Sequence, residues 1–344
     1  MGNASRVFAV TQSLIRLHPD IEIHFFSWGR GADFLRKVMD CYGSSNCHLH
    51  VLRPYVWISP SSLPGLRILK IILNYLNTYL TNIKILREAR RNIEPEAILL
   101  DSDYHFPAFW GLDRKIYFLG QAIDVVERAR QVNYKPSWIS RLSFWFCEVL
   151  DGSIQRFVSD AVFVPSFLEN LSPNDSARVI RVPLIVREEF LRIRKGEMPS
   201  TKVLTMTSGS EIEREKMADI GKSLGAEKIG SPESREITMP EHFSEARLVV
   251  TQGGLSSISE CIAMGKRMIV VPIFGRAEQE VNALTIQGLG MGEVWAEAKD
   301  FRVVSEPSRL MKPMPKILVH GAEVVAQFIL NESLWSKRFA AEGS

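Results

Sequence analysis

Apolar and polar positions along this chain follow two periods that take turns. Val7, Val10, Leu14 and Leu17 fall three and four residues apart, which predicts a helix over 5–17. Ile21 to Phe26 reads as a strand, Gly29 to Asp40 as a helix, and His48 to Leu52 as a short strand. Helical spacing then runs from Leu66 to Asn92. Short apolar runs at 97–100, 115–119 and 161–164 predict buried strands, and 202–206, 246–250 and 267–273 repeat the pattern in the second half. Strands alternating with helices predict parallel, doubly wound α/β sheets. A chain of 344 residues is long enough for two such domains. The stretch 181–200, with two prolines and a run of charges, is the natural break. The expected partition is 1–185, a linker over 186–199, and 200–330.

Composition changes this picture little. Hydrophobic residues make up 46%, enough for two well-formed cores. A net charge of +3 is too small to imply nucleic-acid binding. Cys41, Cys47, Cys147 and Cys261 form no CxxC pair and read as reduced thiols. The first residues lack the basic-then-apolar pattern of a leader, and no apolar run is long enough to span a bilayer. A cytoplasmic location is the expectation.

Candidate chemistry concentrates in Thr251 to Ala283, TQGGLSSISECIAMGKRMIVVPIFGRAEQEVNA. An apolar strand runs into Gly253 and Gly254. Ser256, Ser257 and Glu260 follow at a helix start. A second strand ends ahead of Glu278, Gln279 and Asn282. Successive parallel strands deliver their following loops to one sheet edge, where open α/β sheets bind ligands. Glycines admit an anion to helix N–H groups. A carboxylate one turn in can accept hydrogen bonds from a ribose diol, and the acidic and amide groups of the next loop can do the same for a sugar. The turn 207–210, TSGS, also follows a strand, so Ser208 and Gly209 are weaker candidates for phosphate contact.

This block resembles the nucleotide-sugar signature of GT-B glycosyltransferases, above all family 28, with the family 1 UDP-glycosyltransferases more distant. In that pattern a Gly-Gly-x-Ser/Thr turn precedes Glu, a Gly-Lys-Pro turn, an apolar strand and Glu-Gln-x-x-Asn-Ala. Every piece is here in order, except that Arg267 stands where the pattern has Pro. The resemblance implies two Rossmann-like domains facing a cleft, with the donor on the second. It implies an inverting transfer of a hexose or N-acetylhexosamine from a UDP-sugar, with no cofactor and no metal. Asp101-Ser102-Asp103 spells Asp-x-Asp, but it follows a first-domain strand on the acceptor side, so no metal is expected there.

The family's first loop is Gly-x-Gly-His-x-x-Arg, and Gly2, Asn3 and Arg6 align with its Gly, His and Arg. The strand that precedes that loop in the family is missing from this sequence, and an upstream start is the expected explanation. An amide at Asn3 cannot take a proton near neutral pH. Asp103, Asp101 and His105, at the end of a buried strand, are the candidate bases; alternatively Asp101 caps a helix and His105 merely packs.

Two segments bear on the acceptor. Residues 66–91 carry leucines and isoleucines with Arg67, Lys70, Lys84, Arg87, Arg90 and Arg91, and 138–146, WISRLSFWF, sets aromatics around Arg141. Such segments can lie on an anionic membrane, or the first can be a core helix with solvated charges. Relatives with lipid-linked acceptors tip the expectation to a lipid acceptor at the inner membrane face. A soluble transferase for small molecules or proteins, and a silent nucleotide-sugar-binding protein, are the alternatives.

Overall fold

The computed structural model describes residues 2–342 apart from 44, 56–64, 112–113, 168–177, 194–201, 207–210, 227, 231–238 and 296–318. The chain opens with helix α1 (Gly2–Leu17), strand β1 (Ile23–Ser27), helix α2 (Gly29–Tyr42) and strand β2 (Cys47–Val51). A long helix, α3 (Gly65–Ile93), leads to β3 (Ala97–Asp101) and β4 (Lys115–Leu119). Then come α4 (Ala122–Gln131), α5 (Trp138–Phe144), a π-helical turn (Trp145–Leu150) and α6 (Asp151–Val158). Strands β5 (Ala161–Pro165) and β6 (Val179–Val182) complete a parallel sheet of order β3-β4-β5-β6.

β1 and β2 form a separate parallel pair, and among the described residues no strand joins it to β3. α1 bridges the two pieces because it is apolar on two faces. Phe8 packs with Phe25, Phe34 and Leu35 of β1 and α2. Ala9, Val10 and Leu14 pack with Tyr117, Leu119 and Phe163 of the larger sheet.

After the short helix α7 (Glu188–Arg192), a second unit begins with β7 (Lys202–Met206) and α8 (Glu211–Ser223). It continues through β8 (Lys228–Gly230), α9 (Met239–Glu245), β9 (Ala246–Thr251), α10 (Leu255–Ala263), β10 (Arg267–Val270), α11 (Ala277–Gly288) and β11 (Gly292–Val294). All five strands are parallel, in the order β11-β10-β9-β7-β8. β9 and β10 are buried at the centre, and clusters around Ile258, Met268 and Phe243 on one side and Ile220, Ile269 and Val250 on the other cover both sheet faces. That double burial explains why these strands read as unbroken apolar runs rather than alternating ones.

The last helix, α12 (Gly321–Glu342), follows the second unit in sequence but packs on the first. Ala322, Val325, Ala326 and Ile329 join the core of α1, β4 and β5. The two segments that pass between the units lie side by side: Ile185 bridges His320, and the Gly321 N–H donates to the Leu184 carbonyl at 3.1 Å. A Cβ on Gly321 would stand 1.9 Å from the Pro183 carbonyl oxygen, so only glycine lets the segments approach this closely.

Candidate active site

Parallel strands of one sheet end on one edge, and the loops after β9 and β10 meet there. Gly253 holds φ +88, and a Cβ on it would lie 2.9 Å from the Gln279 carbonyl oxygen. Glycine is required on both counts. Gly254 caps α10 at φ −67 with no side-chain cap, and nothing lies within 4 Å of where its Cβ would be. The first-turn amides of α10, including that of Ser257, point out of the helix end. A small open space therefore faces the positive end of a helix, the setting that binds phosphate.

The neighbouring side chains are fixed by the protein. Asn282 is fully buried; its Nδ2 donates to the Gly253 carbonyl at 2.9 Å and its Oδ1 accepts from Arg128 at 2.8 Å. Gln279 Oε1 accepts the Ile273 N–H at 3.0 Å, which holds the loop after β10 against the start of α11. Glu260 is buried, with Arg187 Nη2 3.4 Å from its Oε1. Arg187 in turn lies over the rings of Phe190 and Phe34, 4.9 and 5.6 Å from their centroids. Glu260 thus holds its carboxylate beside a buried guanidinium. Ser208 and Gly209 lie outside the described residues.

On the first unit, the start of α1 and the end of β3 are locked together. Arg6 reaches both oxygens of Asp101, at 2.6 and 3.2 Å, and donates to Asn3 Oδ1 at 3.1 Å. Arg6 and Asp101 are buried; burial pushes the Asp101 carboxyl up, and the guanidinium opposes that push. With both oxygens occupied, Asp101 acts as the pin that fixes this loop. Asp103 and His105 form a second pair. Asp103 Oδ1 accepts from the His105 backbone N–H at 2.7 Å and lies 2.8 Å from its Nδ1. His105 Nε2 is 2.7 Å from the Tyr55 hydroxyl, and Tyr79 stacks on the ring at 5.2 Å. Asp103 keeps 30% of its side chain exposed while His105 is closed off, so the carboxylate is the accessible member.

A third group was not foreseen from the sequence. Tyr104, between Asp103 and His105, lies near Asp151 at the start of α6, and burial together with that carboxylate pushes its phenol up. Glu148, on the π-helical turn, is buried, and its pKa is pushed up to about 9 by burial and by the negative charges of Glu278 and Asp151, with Arg128 opposing. Glu148 therefore holds its proton at neutral pH and can donate as well as accept. The coupling to Glu278 carries this group to the first turn of α11, on the donor unit. The signal available in the sequence was a lone carboxylate inside the apolar run 142–150, LSFWFCEVL.

The units are joined beneath these loops. Arg128, fully buried in α4, pairs with Asp124 at 2.5 Å and donates to Thr285 at 3.0 Å as well as to Asn282, while its guanidinium sits 4.7 Å from the Phe167 centroid. Glu280 accepts from Ser140 at 2.9 Å and from Tyr134 at 2.5 Å. One side of α11 is thus the floor of the contact and its first turn is the rim.

Comparison with known proteins bears on the fold and on the second unit. Residues 198–318 match the glycosyltransferase family 28 C-terminal domain. No curated protein sequence matches the chain. Among solved structures, Medicago truncatula UGT71G1 complexed with UDP-glucose is 14% identical, with a TM-score of 0.57 over 97% of this chain and 91% of that one. LpCGTa in complex with UDP is 14% identical, with a TM-score of 0.54 over 95% and 91%. Arabidopsis thaliana UGT89C1 complexed with UDP-L-rhamnose is 13% identical, with a TM-score of 0.52 over 98% and 90%. At this identity the likeness is one of fold. The chain has the GT-B fold, and its second unit carries a glycosyltransferase family 28 domain.

Proposed function

We propose that this glycosyltransferase moves a hexose or N-acetylhexosamine from a UDP-sugar to a lipid or lipid-linked acceptor, inverting the anomeric centre and requiring no metal. The observation that carries the donor side is the loop at Gly253: a left-handed glycine pressed on the Gln279 carbonyl, opening into an uncapped helix start. The diphosphate sits against the α10 amides, which stabilise the charge that develops as it leaves. Glu260 accepts from the ribose hydroxyls, while Glu278 and Gln279 face the sugar. Structures of the same fold complexed with UDP, UDP-glucose and UDP-L-rhamnose support a UDP-sugar as donor.

Transfer is a direct displacement. The acceptor hydroxyl oxygen bonds to the anomeric carbon, the bond from that carbon to the diphosphate oxygen breaks, and the hydroxyl proton goes to Asp103. His105, hydrogen-bonded to Asp103, orients the carboxylate and shares the proton. Asp101 takes no part in this exchange because Arg6 occupies it.

The lipid acceptor is supported by apolar surface on the first unit. Leu73, Leu76 and Leu80 of α3 are exposed along one helix face. Trp138, Trp145 and Phe146 are each more than 60% exposed. Among the described residues no helix is long and apolar enough to cross a membrane, so contact would be at the surface, on the inner face in this reading.

The test uses radiolabelled UDP-glucose and UDP-N-acetylglucosamine with a detergent-dispersed membrane lipid extract. The wild type should label lipid. Asp103→Asn should lower turnover by about 10²- to 10⁴-fold with nucleotide affinity unchanged. Glu260→Ala should weaken UDP-sugar binding by about 1.5–3 kcal/mol in calorimetry. Transfer only to soluble acceptors would replace the lipid part of the reading. Equal UDP-sugar affinities would remove Glu260 from the site.

A further inference from the structure

The β1–β2 pair carries three histidines on one face. Its register sets His24 opposite His48 and Phe26 opposite His50. Side chains alternate along a strand, so these four share a face, while Phe25 and Leu49 turn to the other, against α1 and α2. The rings lie against one another: His24 is 4.7 Å from His48 and 5.3 Å from His50, and His50 stacks on Phe26 at 4.6 Å. Glu22, just before β1, closes the group. Its Oε1 is 3.1 Å from His24 Nε2 and 3.3 Å from His48 Nε2.

Those spacings also fit a shared metal ion. Ligand atoms about 2.0–2.1 Å from zinc in a tetrahedron stand roughly 3.3 Å from each other. All three ligand atoms here lie within 4.8 Å of one another. Imidazole nitrogen with one carboxylate oxygen is a donor set that suits zinc and its first-row neighbours. His24 also has the partner that orients a ligating imidazole, since its Nδ1 is 3.0 Å from His50 Nε2. A neutral His24 has one ring proton. Placed on Nδ1 and donated to His50, it leaves the Nε2 lone pair directed at the side where Glu22 and His48 converge. Solvent reaches the group, because 65% of the Glu22 side chain and 44% of the His48 side chain are exposed.

We propose that Glu22, His24 and His48 bind one divalent transition-metal ion of the zinc class, with His50 orienting His24 and solvent completing the coordination. His24 and His48 are second residues of parallel strands. They therefore lie at the starting ends of β1 and β2, whereas Phe34 of α2, which follows β1, packs on Arg187 beside Glu260, so the metal is a structural clip rather than a participant in transfer. β1 and β2 have only each other as sheet partners among the described residues. A pair of strands alone is marginally stable, and an ion holding both would tie them at their start.

The test is a zinc titration of tag-free, chelator-treated full-length protein against a chromophoric chelator at neutral pH, with melting temperature read in parallel. The wild type should bind one equivalent more tightly than about 10 µM and melt higher with zinc than without. His24→Ala and His48→Ala should lose that equivalent, and His50→Ala should weaken it by about 10- to 100-fold. Glu22→Gln, at an exposed position that cannot unfold the domain, should also weaken it. Cys41→Ser/Cys147→Ser, which removes the exposed thiols, should bind like the wild type. Wild-type binding weaker than about 10 µM, or unchanged binding by both His24→Ala and Glu22→Gln, would overturn the proposal.

Discussion

Glu148 is a carboxylic acid in the folded protein and a carboxylate in the unfolded one over a wide span of pH. Its pKa rises from an ordinary 4.5 to about 9, first through burial and then through Glu278 and Asp151. Between these values unfolding releases a proton. The stability tied to Glu148 is therefore full below about pH 4.5 and declines as pH climbs to about 9. Glu148→Gln keeps the shape and removes the titration. Its melting temperature should match the wild type near pH 4.5 and exceed it increasingly toward pH 9, by the equivalent of a few kcal/mol, on the order of 2–5. A constant difference between the two proteins across that range would mean that Glu148 is ionised in the fold. At this scale the sequence was readable where motif and backbone agree. The glycine turn read at Gly253 and Gly254 is where the structure has a left-handed residue and a helix start. The contact between Asp103 and His105 is local, two residues apart, whereas the pairing of Asp101 with Arg6 joins residues 95 apart and leaves no local mark. Arg187 and Glu148 escaped for the same reason: what makes them unusual is the company that distant segments bring.

Helix α3 shows what periodicity can and cannot tell. Its span was legible almost to the residue, expected over 66–92 and found over 65–93. Its surroundings were not, because one apolar pattern serves two uses. The later turns bury Ile83 and Leu86 in the first-unit core, whereas Leu73, Leu76 and Leu80 stay at the surface. The exposed basic residues Lys84, Arg87 and Arg91 extend the same helix. An apolar face followed by cations should bind anionic vesicles at low salt and release them in high salt, since a Debye length of about 10 Å at 0.1 M screens exposed charge. In vesicle sedimentation, the triple change Leu73→Ser/Leu76→Ser/Leu80→Ser should reduce binding by at least about tenfold, since a buried leucine is worth about 1.5–3 kcal/mol. Equal sedimentation with neutral and anionic vesicles would count against the membrane role. The π-helical turn was not legible at all: WISRLSFWF was read as an interfacial stripe, and nothing local marks the extra residue that widens the helix there. Strands β6, β8 and β11, only three or four residues long, were also passed over; runs that short do not stand out from loop sequence.

At the scale of the molecule, the alternation of strands and helices announced two α/β units, but not that the last helix returns to the first. The partners of Val325 and Ala326 include Val10 and Phe163, and no local pattern records such distances. The return depends on the close passage at Gly321. Gly321→Ala should push Pro183 away and cost about 1–3 kcal/mol, typical of overpacking, read as a lower urea midpoint. If the midpoint does not move, the crossing segments have more room than their geometry gives. The same return sets an order of events during synthesis. Nascent domains ordinarily fold as they emerge, but here the apolar side of α1 waits for a helix translated after the entire second unit. Counted from the end of β6 to α12, at a ribosomal pace of about 5–20 residues per second, that wait is roughly 7–30 s. For that time the first unit is made yet incomplete, with Val10 and Phe163 exposed to whatever binds greasy surface first. Chaperone dependence in this protein should therefore trace to the exposed core side of α1 and β5, although the piece that covers it is α12.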